Sequence, residues 1–144
     1  MTSLELKAHA KINIGLQIKN QRPDGYHNIH TVFQEVALHD TIKIRKQQAG
    51  FNITTDWPGI PIDKTNTCAK AYLALKEIFP GLGGISLTIS KKIPPGAGLG
   101  GGSSDAAAVL KGINQLYNLS IGKIELVEIA AKIGADVPFF ISGG

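Results

Sequence analysis

At 144 residues, 43% hydrophobic and 18% charged, the chain can bury one core but is too short for two typical domains, and global disorder is excluded. No apolar run approaches the roughly 18 residues of a membrane-spanning helix, and the N-terminus lacks a signal peptide's basic, apolar, small-residue order, so a soluble cytoplasmic protein without a membrane partner is expected. The net charge of +4 suits an anionic ligand, but the lysines are spread along the chain rather than gathered into a basic block, which argues against nucleic acid as partner.

From Leu4 to Ile18 the apolar residues fall on even positions: Leu4, Leu6, Ala8, Ala10, Ile12, Ile14, Leu16 and Ile18. That period of two predicts one or two strands with a single buried face, and in this register Lys11, Asn13 and Gln17 turn to the opposite face. Pro23-Asp24-Gly25 is a turn signal, and further strands are expected over 29–39, 41–46 and 51–55. The segment WPGIPIDKTN reads as a loop. After it, apolar residues at 68, 71, 72, 75, 78 and 79 predict a helix over 67–79, stopped by Pro80-Gly81. The single cysteine, Cys68, lies on that helix with no partner for a disulfide and no metal-ligand spacing, and reads as a small buried residue.

Ile85, Leu87 and Ile89 alternate with Ser86, Thr88 and Ser90 in a strand ending near Ile93. A helix from about Ser104 to Tyr117 carries Ala107, Leu110, Ile113 and Leu116/Tyr117 on one face. Ser120 reads as the cap of a third helix with Ile124, Val127 and Ala131 on its apolar face and Gly134 at its end. The closing run FFISGG reads as strand. Strands first, then helix, strand, helix, helix indicate an α+β domain rather than a regular βαβα alternation.

Between the strand near Ile93 and the helix that follows stands IPPGAGLGGGSSDAAA, with five glycines in the seven residues from Gly96 to Gly102. Gly96-Ala97-Gly98-Leu99-Gly100-Gly101 matches GxGxxG literally. A dinucleotide fold also needs an acidic residue about 20 positions on, at the end of the next strand, and here that position falls in a helix. A Walker A loop needs a lysine after the glycines, and none follows. The physics common to such loops survives. Residues without Cβ let backbone N–H groups approach an anion, and the helix N-terminus beyond them presents unpaired donors and a positive dipole end. Ser103 and Ser104 add hydroxyls able to cap the helix or reach a phosphate; the plainer alternative is a mobile glycine turn capped by serine.

The stretch from Pro94 to Ser104 resembles the phosphate-binding motif of the GHMP kinases. The third glycine before the serines, and Asp105 after them, resemble the branch that phosphorylates 4-diphosphocytidyl-2-C-methyl-D-erythritol, a step of non-mevalonate isoprenoid synthesis. AHAKINIGLQI and RPDGYHNIHTVFQEVALHD near the N-terminus, with GADVPFFISGG at the C-terminus, point to the same branch in the same order. The resemblance covers residues 1–144 as the family's N-terminal ATP-binding domain, the family's C-terminal domain being absent. It implies the ribosomal protein S5 domain 2-like α+β sandwich, with a left-handed β-α-β crossover against the usual rule.

The resemblance also implies roles for particular residues. ATP phosphates would be cradled by Pro94, Pro95, Gly96, Ala97, Gly98, Leu99, Gly100, Gly101, Gly102, Ser103 and Ser104. Asp136 would be the catalytic aspartate that accepts the hydroxyl proton, and Lys11 its paired lysine, keeping that carboxylate ionised and stabilising developing charge. Asn13, two residues on, would reach the erythritol hydroxyls. Tyr26 would stack on the cytosine and His27 bond its edge, while Asn66 would stand near the adenine. Mg2+ follows from the reaction class, with the ATP phosphates as its ligands and no protein metal ligand. Each residue has a plainer reading: a solvated lysine, a turn or capping carboxylate, a strand-edge tyrosine, a helix-capping asparagine. Two other functions stay open, another GHMP small-molecule kinase such as a homoserine or mevalonate kinase, and a non-catalytic S5-like RNA-binding or structural module.

Overall fold

Alternating apolar residues build one four-stranded sheet in the order β1-β2-β4-β3. The structure, a computed structural model, describes the backbone of residues 1–21 and 27–143 and the side chains of 1–14 and 32–143. Its strands are β1 (Ser3–Gln21), β2 (His27–Gln47), β3 (Phe51–Thr55) and β4 (Gly84–Ser90); its helices are α1 (Thr67–Ile78), α2 (Gly101–Leu116), α3 (Lys123–Ile133) and α4 (Val137–Ser142). β2 pairs antiparallel with β1 and β4, whereas β3 and β4 are parallel neighbours joined through α1, the β-α-β unit on which the implied crossover falls. The two strands expected over 29–39 and 41–46 are one continuous strand. The Pro23-Asp24-Gly25 turn lies outside the described residues.

The helices cover one face of the sheet. Ala8, Ile42, Ile44, Ile53, Ile85, Leu87 and Ile89 meet Leu75 of α1 and Val109, Leu110 and Ile113 of α2 in a single core, with Cys68 buried among them. α2 lies deepest, every residue from Ser104 to Leu110 being buried. It approaches the sheet so closely at Gly112 that a Cβ there would stand 2.4 Å from Ile44 Cδ1 and 3.0 Å from Leu6 Cδ1. The opposite face carries exposed Glu5, Lys7, Lys43 and Arg45.

Four expectations are corrected. The alternation of β1 inverts midway: Ala10 and Lys11 are both buried, while Ile12 and Ile14 are 41% and 40% exposed. The register shifts between the His9↔His39 and Lys11↔Glu35 pairs, and the Lys11 N–H leaves the ladder to bond Leu99 O at 2.9 Å. Lys11 therefore lies on the helix side of the sheet. Second, α2 begins at Gly101 rather than Ser104, with Gly100 in the left-handed conformation as its N-cap, so neither serine caps it. Third, Gly122, not Ser120, precedes α3, whose buried face is Leu126, Ile129 and Ala130; Ile124 is 80% exposed and Ala131 is exposed. The sequence IELVEIAAKI carries two apolar stripes at helical spacing, and periodicity alone cannot choose between them. Fourth, the run read as a closing strand is helix α4, with Pro138 in its first turn and its Phe139 and Phe140 rings in edge contact at 5.0 Å.

Candidate active site

Leaving β4, the chain is gripped before the glycines begin. The Asp40 carboxylate accepts the N–H groups of Lys92 at 2.7 Å and Ile93 at 2.9 Å, and Asp56 accepts that of Lys91 at 2.9 Å. The loop then runs exposed from Pro94 to Gly98. Gly96, Gly98 and Gly100 have φ of +73°, +77° and +73°, the region in which a side chain is strained, and nothing stands within 4 Å of where a Cβ would be on Gly96 or Gly98. At its far end the loop is tied from two sides: Lys11 N donates to Leu99 O, and Thr67 Oγ1 at the start of α1 donates to Gly102 O at 2.9 Å.

Helix α2 starts with no side-chain cap and no acidic residue in its first turn. Its first backbone bond is Ser104 N to Gly100 O at 2.8 Å, which leaves the N–H groups of Gly101, Gly102 and Ser103 without intrahelical acceptors at the positive end of a 16-residue helix. Ser103 is half-buried and Ser104 is 3% exposed, so the second serine is largely withdrawn into the core. These exposed N–H donors could hold an anion such as a phosphate group. Among the described residues no cluster of three or more His, Cys, Asp or Glu could hold a metal ion, and no residue is assigned as a magnesium ligand.

Lys11 lies against the base of the loop, its Cγ 3.1 Å from the Cβ position of Gly100. Its Nζ donates to Asn13 Oδ1 at 2.8 Å and stands 4.5 Å from the centre of the Phe33 ring on β2. Phe33 meets Phe139 edge-on at 5.4 Å, and Phe140 of the same helix packs on Gly100, so α4 closes this side of the loop. Asp136 is the residue immediately before α4. It is half-buried, lies in the turn and makes no side-chain capping bond, so the plainer reading of a turn carboxylate stands while that of a capping one does not. Among the described residues Lys11 and Asp136 form no direct ion pair; the nearest polar partner of Lys11 is Asn13. Tyr26 lies outside the described residues, as does the side chain of His27, whose backbone begins β2.

On the other side of the loop Asn66 caps α1. Its Oδ1 accepts from Cys68 N at 2.8 Å and its Nδ2 donates to Pro61 O at 2.8 Å, so the capping reading holds. Asn66 also lines a cavity of about 250 Å³ with Pro61, Lys91, Pro95, Gly96 and Asp105. Sequence reasoning missed the charges behind this wall. Lys91 Nζ lies 2.6 Å from Asp40 Oδ2 and 3.0 Å from Asp105 Oδ2, all three residues being buried. Burial opposes the charge on Lys91, but the two carboxylates outweigh it and raise its pKa. Burial likewise opposes the charge on Asp40, yet the hydrogen bonds it receives hold its carboxyl below the ordinary value. For Asp105 burial dominates, helped by the neighbouring Asp40 carboxyl, and its pKa is pushed up to about 8. One signal was legible: Asp40 shares the even parity of Ile42 and Ile44, and a carboxylate on the core face of a strand needs buried partners.

The family profile of the GHMP kinases N terminal domain matches residues 66–144. The 4-diphosphocytidyl-2-C-methyl-D-erythritol kinase of Acetivibrio thermocellus is 46% identical over 144 residues, covering 100% of this chain and 51% of that protein. The protein of the same name from Carboxydothermus hydrogenoformans is 48% identical over 137 residues, covering 95% of this chain and 47% of that one. A crystal structure of 4-(cytidine 5'-diphospho)-2C-methyl-D-erythritol kinase superposes with a TM-score of 0.76 at 37% identity, over 96% of this chain and 49% of that chain. The chain spans about half the length of the curated relatives it matches. The profile match takes in α1, the glycine loop, the exposed start of α2 and the turn bearing Asp136, and on this shared ground of sequence and geometry the chain belongs to the GHMP kinase family.

Proposed function

We propose that this chain forms the ATP-binding half of a cytoplasmic kinase that transfers the γ-phosphate of ATP to a hydroxyl of 4-diphosphocytidyl-2-C-methyl-D-erythritol. The observation that carries the reading is the loop of three left-handed glycines opening onto the uncapped N-terminus of α2. Backbone N–H groups of Gly101, Gly102 and Ser103 hold nucleotide phosphates there, at a place where side chains cannot crowd them. Mg2+, when bound, would be held by those phosphates and would neutralise part of their charge, with no residue of this chain assigned to hold it.

Phosphoryl transfer asks little covalent chemistry of a protein; positioning and charge stabilisation account for most of the rate. Lys11, fixed to the loop through its backbone and to Asn13 through its ammonium group, supplies positive charge beside the phosphates. Asp136, free of any capping bond, is available to accept the proton of the acceptor hydroxyl. Asn13 orients that hydroxyl-bearing chain. Tyr26 stacks on the cytosine and His27 bonds its edge. Asn66 serves the adenine side as a wall residue, since its Oδ1 is already engaged in holding α1.

Calorimetric titration with an ATP analogue and with the cytidine-bearing substrate, on this chain and on the full-length protein, tests the assignment. Asp136→Asn in the full-length protein is expected to keep nucleotide affinity and lose about 10²–10⁴-fold in kcat. Failure of the full-length protein to bind either ligand, or unchanged turnover in Asp136→Asn, overturns it.

A further inference from the structure

The reaction assigned above makes no use of a cluster of three buried charges, Asp40, Lys91 and Asp105. Asp40, Lys91 and Asp105 are 0%, 8% and 3% exposed and come from β2, the end of β4 and the second turn of α2. Two carboxylates face one ammonium group. Asp40 has donors on both oxygens, Oδ1 receiving two backbone N–H groups and Oδ2 the lysine, which leaves Oδ2 able to accept one more. Asp105 does not: Oδ2 receives Lys91 at 3.0 Å, while Oδ1 is buried with no donor. Among the described residues, the other titratable groups near this cluster are the buried Cys68 thiol from α1 and Asp56, which takes the Lys91 N–H. None of them is a second cation.

An ionised Asp105 would thus leave unbalanced negative charge and a bare carboxylate oxygen in the core, and both are costly. A neutral acid removes the surplus charge and makes its oxygen a donor, with the Asp40 carboxylate, held on the same Lys91 ammonium, as its acceptor. We propose that Asp105 is held as a neutral carboxylic acid sharing its proton with Asp40, and that this one-proton clamp joins the two ends of the glycine loop. Asp40 grips the loop where it begins, through Lys92 and Ile93. Asp105 stands where it ends, on α2, and Lys91 bridges the two. Asp105 is a positioning residue that acts through the loop backbone. Losing the proton sets like charges side by side behind the anion-binding N-terminus. Only this last consequence, weaker phosphate binding, rests on the kinase reading.

The test is a titration of the full chain with 13C-labelled aspartate carboxyls, followed by NMR from about pH 4 to about pH 10. One aspartate should titrate far above the rest, near pH 8, and its signal should vanish in Asp105→Asn. The native state then keeps a proton that the unfolded chain loses above the ordinary value of 3.8. The unfolding constant should therefore rise with pH, by up to about tenfold per unit, between that value and about 8, and level off beyond. Asp105→Asn, which keeps the shape and donor of the neutral acid, should abolish that slope. In wild type, Mg-ATP affinity should weaken through the same alkaline transition, and in the variant it should not. If only the Mg-ATP arm fails, the kinase reading is at fault and the clamp stands. If no aspartate titrates above about pH 6, the clamp is wrong, whether or not the variant folds.

Discussion

Replacing Gly100 by alanine adds one methyl group at the joint between the glycine loop and α2, and two separate costs follow. Gly100 has φ +73°, where an L-residue pays about 1–2 kcal/mol for its Cβ. The new Cβ would also stand 2.9 Å from Phe140 Cζ, 3.1 Å from Phe140 Cε2 and 3.1 Å from Lys11 Cγ. The Phe140 ring is 3% exposed and in edge contact with Phe139, and Lys11 is tethered at its N–H by Leu99 and at its Nζ by Asn13, so neither yields freely. Overpacking of this kind costs about 1–3 kcal/mol, giving about 2–5 kcal/mol in all. Gly98→Ala is the internal reference. Its φ is +77° but its Cβ would meet open space, so only the backbone cost of about 1–2 kcal/mol applies. Urea denaturation followed by far-ultraviolet circular dichroism measures both. Gly100→Ala should be the less stable by about 1–3 kcal/mol, while Gly98→Ala should lose nucleotide affinity out of proportion to its stability. Equal destabilisation would refute the packing of Phe140 and Lys11 against the loop. Unchanged stability in both would refute the left-handed loop itself.

Gly112→Ala tests the seat of α2 on the sheet. Alanine is the better helix former by about 1 kcal/mol, but its Cβ would fall 2.4 Å from Ile44 Cδ1 in a fully buried contact. The clash should win, with a net loss of up to about 2 kcal/mol in the same denaturation assay, and a stabilised variant would contradict the close approach. Asn66→Ala removes the cap of α1 and leaves the Pro61 carbonyl without its donor, at a cost of about 1–2 kcal/mol. Asn66→Asp, which keeps the acceptor for Cys68 N, should recover part of that loss as read from the urea midpoint.

Much of the molecule was legible because its causes are local. The five glycines from 96 to 102 announced a bare loop whose N–H groups an anion could approach; those at 96, 98 and 100 have positive φ, while 101 and 102 begin α2. The 68, 71, 72, 75 pattern gave α1 to within one residue, since a single apolar stripe has one burial solution. Asn66 before that pattern read as a cap because capping depends on neighbours two residues away. Where two local solutions were equally good, as in IELVEIAAKI or the short run VPFFIS, the sequence offered no means of choosing. Packing against Phe33 and Gly100 makes the latter a helix.

What the sequence by itself determined is the set of chemical parts: a bare loop before a helix, a lysine on β1 and an aspartate in the turn after α3. Only the tertiary structure decided which way Lys11 faces, because the bond that pulls its N–H out of the ladder comes from Leu99, far along the chain. It alone decided that Asp40, Lys91 and Asp105 meet, since three elements distant in sequence must fold together before their charges can compensate one another away from water.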